Sequence, residues 1–166
     1  MGSMKDLDFD HKIPPSKKTW QYFFKMPKQA RGALWLNKKA RGVKLKDWSW
    51  EWRLAWVRLC SESQNPHCLS ILEDAIADPA LVVRAEAVRA LGLRYRGTAN
   101  SDALAGLAKE FKNPKNKRRK KPLFIHFRIL KAIKDIGGKE SKILGTHLAS
   151  SFAKTDSYWK GLMGPP

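Results

Sequence analysis

The sequence predicts an all-α protein, a short α-solenoid of about three to four stacked helical hairpins. Three observations lead there. Apolar residues recur at helical spacing, as at Leu69, Leu72, Ala75 and Ile76, with no sustained strand-like alternation. An Asp followed six residues later by an Arg occurs at Asp47/Arg53 and again at Asp78/Arg84, an offset of 31. Ile136-Gly137 repeats Leu91-Gly92 at an offset of 45, with Ala132 under Ala87 and Ile133 under Val88. Periods in this range suit hairpins that bury one face only by stacking on the next.

Each element follows in order. Met1-Gly-Ser3 ahead of Met4 reads as a cloning remnant, and no secretory signal opens the chain. Residues 4–26 form a basic arm, extended through Pro14-Pro15, and then a short helix around Thr19–Lys25. Residues 27–153 carry the repeats, beginning with a helix at 27–40 and a second at the Trp-rich stretch after Asp47. Leu69 to Ile76 makes the next helix. Asp78 then suits an N-cap with Pro79 at the first helical position, and Val83, Ala87, Ala90 and Leu91 draw a stripe ended near Gly92. Leu123 to Ile136 is apolar around most of its circumference and needs cover on two sides, from the preceding hairpin and from the helix after Lys139. Residues 154–166 form an amphipathic C-terminal tail suited to capping the stack.

The string Asp78-Pro79-x-x-x-Val83-Arg84-x-x-Ala87-x-x-Ala90-Leu91-Gly92 resembles the HEAT repeat family and its short phycobilin-lyase-type repeats. The resemblance covers residues 65–93 most closely, extends to 45–61 and 101–138, and does not reach before about residue 27. It implies that the Asp and Arg of the motif form a structural ladder between repeats, so that Asp47, Arg53, Asp78 and Arg84 are scaffold. The third repeat has Asn113 and Ile129 at the equivalent places, and the ladder is expected to stop there.

Charge supplies the functional signal. The chain holds 33 Lys and Arg against 15 Asp and Glu, a formal net charge of +18. The excess is uneven: +9 over residues 1–60, −2 over 61–107 and +11 over 108–166. A folded protein with this field attracts anionic partners. Lys112 to Lys121 places seven basic residues in ten with no acid. Ten residues, Asn113 to Pro122, are extra relative to the other hairpins. Lys115, Lys117, Arg118, Arg119, Lys120 and Lys121 in this run suit phosphates, where each neutralised charge releases counterions. A solvated loop, a nuclear-import signal in a eukaryotic source and anionic lipid binding are the other uses of such a run.

The repeat alignment adds a column. Arg58, Arg89 and Lys134 hold one equivalent position on the second helix of three successive hairpins, and helices pack roughly 8–10 Å apart. In HEAT solenoids those helices line the concave surface, so the resemblance implies a cationic rail there. Trp48, Trp52 and Trp56 share one helix face at i, i+4 and i+8 and read as core. Trp50 points elsewhere and offers a surface for a base or sugar.

The function expected is non-enzymatic nucleic-acid binding, to DNA or RNA. An interaction scaffold for an acidic protein or an anionic membrane surface is the alternative. HEAT-like repeats also build alkylpurine DNA glycosylases, and Glu51 among Trp48, Trp50 and Trp52 is the nearest counterpart to their site; the Trp-Asp signature of that family is missing. No residue marks a bilin site, as in the phycobilin lyases. Cys60, His67 and Cys68 lack a fourth ligand and paired spacing, and His11, His126 and His147 are scattered, so no metal is expected. No Gly-rich phosphate loop, nucleophile elbow or Ser/His/Asp grouping is visible, and no cofactor or catalytic residue is expected. Two cysteines make no disulfide framework, which points to a reducing, cytoplasmic compartment. No run approaches the roughly 18 apolar residues of a membrane span.

Overall fold

The computed structural model describes residues 13–25, 45–63, 66–116 and 121–165. The helix expected at 27–40 lies outside them. Among the described residues the α-helices are α1 (Lys17–Lys25), α2 (Trp50–Glu62), α3 (His67–Ala75), α4 (Leu81–Arg94), α5 (Ser101–Phe111), α6 (Phe124–Ile136), α7 (Lys139–Ala149) and α8 (Ala153–Met163). Short 3-10 turns occupy Leu45–Asp47 and Pro114–Asn116. None of these helices is long and apolar enough to cross a membrane.

Packing follows the apolar stripes. α2 lies on α4, α4 on α6, and α6 on α8, while α3, α5 and α7 each pack against the helix that follows. α4 is the wall between two cores. Val83, Ala87, Ala90 and Leu91 face Trp52, Trp56, Val57, Cys60 and Leu72. Ala85 and Val88 face Leu104, Leu107, Ile125, Ile129 and Ile133 on its other side. A helix with two buried faces needs small residues, and the alanines supply them. Trp52 and Trp56 are fully buried, as their spacing predicts, whereas Trp48 precedes α2 and packs only partly buried against the same core.

α2 and α4 run parallel, tied at both ends. Arg53 at the start of α2 binds Asp78 just ahead of α4, and Arg94 at the end of α4 donates to the Ser63 carbonyl at 2.9 Å. α4 and α6 are parallel by the same logic. Arg84 near the start of α4 reaches Asn116 ahead of α6, and beyond the end of α4 the Gly97 N–H donates to the Asp135 carbonyl at 2.8 Å. The N-terminal ends of α2, α4 and α6 therefore lie along one edge of the molecule.

Several sequence expectations are corrected. Asp78 is not the N-cap of α4; the helix starts at Leu81 with Ala80 as cap residue. The Asp78 carboxylate instead accepts from the Ala80 N–H at 2.8 Å and takes the Arg53 guanidinium. Gly92 lies two residues before the end of α4. A Cβ there would come within 2.8 Å of the Ala132 backbone, so its missing side chain lets α4 and α6 approach closely. Gly137, with φ at 79°, ends α6. Cys60 of α2 and Cys68 of α3 are joined in a disulfide, with their Cα atoms 5.0 Å apart. That pairing removes the cysteine argument for a reducing compartment. Finally, a buried polar link forms at Arg84, where the sequence predicts an end to the Asp/Arg pattern. Arg84 finds the Glu110 carboxylate, with Nε 3.1 Å from Oε1, and Nη2 donates to Asn116 Oδ1 at 2.8 Å. A 3-10 turn carries Asn116 inward, so an amide and a glutamate replace the aspartate.

α8 rests on α6 and α7. Trp159 is buried against Gly145, where any Cβ would overlap the indole, and its Nε1 donates to Thr146 Oγ1 at 3.1 Å.

Candidate nucleic-acid interface

The ladder's buried polar groups hold the helix faces in register, and one outward face carries the charge. On α4, Val82, Glu86, Arg89 and Leu93 follow one another at i, i+4, i+7 and i+11. On α6, Phe124, Arg128 and Lys131 repeat that spacing. Such residues share a face.

Glu86 is the centre of this face. Its carboxylate is almost completely buried, yet three guanidiniums from three helices surround it. Arg89 donates Nη2 to Oε1 at 2.6 Å and Nε to the same oxygen at 3.1 Å. Arg58 of α2 brings Nε to 3.9 Å from Oε1, and Arg128 of α6 brings Nη1 to 3.8 Å from Oε2. The three arginine side chains remain 46%, 44% and 43% exposed for Arg58, Arg89 and Arg128 in turn. One buried negative charge would be unstable alone; three cations over it compensate the lost hydration and leave a local excess of two positive charges. Arg89 also donates to Ser61 Oγ at 3.4 Å.

Arg58, Arg89 and Lys134 are all exposed, and the first two meet at one carboxylate that Lys134 does not pair with. The structure brings Arg58 and Arg89 together at Glu86 and puts Arg128 in the third place. The cause is register: with Gly92 seated on Ala132, Glu86 on α4 faces Arg128 on α6. Lys134 lies six residues further along α6, about 9 Å at helical rise. Sequence reasoning missed Arg128, Glu86 and Phe124. The i, i+4 spacing of Phe124 and Arg128 was the available signal.

Aromatic groups edge the face. Phe124, the first residue of α6, is 47% exposed and the Arg128 guanidinium stands 5.3 Å from its ring centre. Trp50, the first residue of α2, is also exposed, as expected. The basic run lies ahead of α6 in the chain. Lys115 and Lys121 are exposed at its two ends, whereas Lys117, Arg118, Arg119 and Lys120 lie outside the described residues.

The run is anchored at both sides. Asn116 is fully buried, donating Nδ2 to Glu110 Oε1 at 2.8 Å and to the Glu110 carbonyl at 3.0 Å. After the run, the Leu123 N–H donates to His126 Nδ1 at 2.9 Å. His126 is buried beside Phe111 and Phe152. Burial pushes its pKa below the ordinary imidazole range; the Leu123 and Phe111 backbone and the Glu110 charge oppose this without prevailing. Among the described residues no group of three or more His, Cys, Asp and Glu is placed to hold a metal ion.

Compared with protein-family models, curated proteins and solved structures, the chain matches none of them.

Proposed function

We propose that this chain is a short HEAT-like helical-repeat protein that binds nucleic acid without acting on it chemically. The repeat reading draws support from the successive packing of α2, α4, α6 and α8 and from the Arg53–Asp78 and Arg84–Glu110 links between successive hairpins. The observation that carries the function is the convergence of Arg58, Arg89 and Arg128 on Glu86, on the face of a chain with net charge +18. Guanidiniums held in fixed positions suit phosphate, because their N–H groups match its oxygens in pairs. The basic run from Lys115 to Lys121 adds sequence-independent attraction. Mobility-shift titration with single- and double-stranded DNA and RNA at several salt concentrations tests this. Binding whose log affinity falls linearly with log salt is the expected result. A flat absence of binding to every nucleic acid at low salt overturns it and moves the assignment to a scaffold for an acidic protein or membrane surface.

A further inference from the structure

The arginines do not form a rail. Three cations spaced one helix apart would suit the regular phosphates of a duplex backbone. Here all three lie within 4 Å of one carboxylate, which concentrates them at a single point. Arg89 spends two of its N–H groups on Glu86. Arg58 and Arg128 stand at ion-pair distance only, so their donors remain available to a second acceptor.

Beside this point lies a half-exposed phenyl ring. Arg128 sits over Phe124, and nearly half of that residue is open to solvent. An exposed phenyl ring on a charged face is costly to leave in water and gains most from another flat, apolar surface. A nucleobase is such a surface, and base-on-aromatic stacking tolerates any sequence. In a duplex the base faces are already covered by neighbouring bases, so only an unpaired base can use the ring. Trp50 begins α2 as Phe124 begins α6, giving the same edge a second exposed aromatic two helices away.

We infer that the ligand is single-stranded nucleic acid, with one phosphate held by Arg58, Arg89 and Arg128 around Glu86 and an adjacent base stacked on Phe124. This rests on the nucleic-acid reading above and narrows it. Glu86 acts as a positioning residue that fixes Arg89 and gathers the other two guanidiniums.

The test is fluorescence anisotropy with a labelled homopyrimidine single strand and a duplex of equal length, at low and physiological salt. The wild-type chain should bind the single strand more tightly. Phe124→Leu should weaken single-strand binding roughly 5- to 150-fold, as expected for one lost base stack, with the salt slope unchanged. Phe124→Trp should restore it. Arg128→Gln should lower the slope of log affinity against log salt by about 0.7. Circular dichroism melts of each variant confirm folding, since both positions are exposed. If the duplex binds as well as the single strand, or if folded Phe124→Leu binds like wild type, the inference fails while general nucleic-acid binding stands. If neither strand form binds the wild-type chain, the function itself is overturned.

Discussion

Arg53 and Asp78 clasp each other across two helices, Nε to Oδ2 at 2.7 Å and Nη2 to Oδ1 at 3.1 Å, both side chains almost fully withdrawn from water. The same guanidinium also donates to the Trp48 carbonyl. Two directed bonds between the start of α2 and the turn before α4 fix the angle and the register of these helices at once. Everything on the outward face depends on that register, because Arg58 and Glu86 meet only when α2 and α4 are held so.

Breaking this link by removing one partner leaves the other charge buried and alone. Arg53→Ala and Arg84→Ala should each destabilise the fold by about 3–5 kcal/mol, read as a lowered melting temperature. Arg89→Ala removes two hydrogen bonds to Glu86 but leaves Arg58 and Arg128 beside that carboxylate, so it should cost less stability than Arg84→Ala and weaken nucleic-acid affinity per folded molecule. Equal losses of stability at Arg84 and Arg89 would show that the helix faces are wrongly assigned.

Gly92→Ala tests the closest approach of α4 and α6. Its Cβ would meet the Ala132 Cα and Cβ at 2.8 Å, and neither atom belongs to a flexible chain end. The helices must part, at a cost of about 1–3 kcal/mol. Chemical denaturation should show that loss, and the displaced Arg128 should weaken binding in the surviving folded fraction.

His126 makes stability depend on pH. Its pKa in the folded protein lies below its unfolded value of 6.5. Above that value both states are neutral and the full stability is present. As pH falls through it, the unfolded chain gains a proton that the folded chain refuses, so stability declines until the folded pKa is passed. His126→Gln keeps an acceptor for the Leu123 N–H and does not titrate, as in a capping box. Thermal melts across mildly acidic to neutral pH should show a steeper decline for wild type than for this variant.

The basic run should be separable from the fold. Lys115 and Lys121 are exposed, and the buried anchors on either side are Asn116 and His126. Reversing the charges of Lys115, Lys117, Arg118, Arg119, Lys120 and Lys121 should leave the melting temperature near wild type. The salt slope should fall by about 0.7–0.9 per lost phosphate contact, the lower figure for single strands. Unchanged affinity and slope in the folded variant would reduce the run to a solvated loop.

Local chemistry in the sequence determined the all-helical class, the core tryptophans Trp52 and Trp56 and the sign of the surface, while the scaffold role of Arg53 and Asp78 was implied by the resemblance of the motif around them. The first three depend on residue type and on spacing within a helix, which the chain states directly. Tertiary packing decided the rest. Which arginine faces Glu86 depends on how far α6 slides along α4, and that is set by the seat of Gly92 on Ala132, a contact between residues 40 positions apart. Counting along repeats selected Lys134; packing selected Arg128. Arg84 finds a buried link to Glu110 and Asn116 because a 3-10 turn rotates an amide inward where repeat counting met only Asn113. The Cys60–Cys68 pair likewise depends on how α2 and α3 lie against each other, a distance no spacing rule supplies. Periodicity fixes which face of a helix is buried, while contact between two helices fixes which residues on the remaining faces meet.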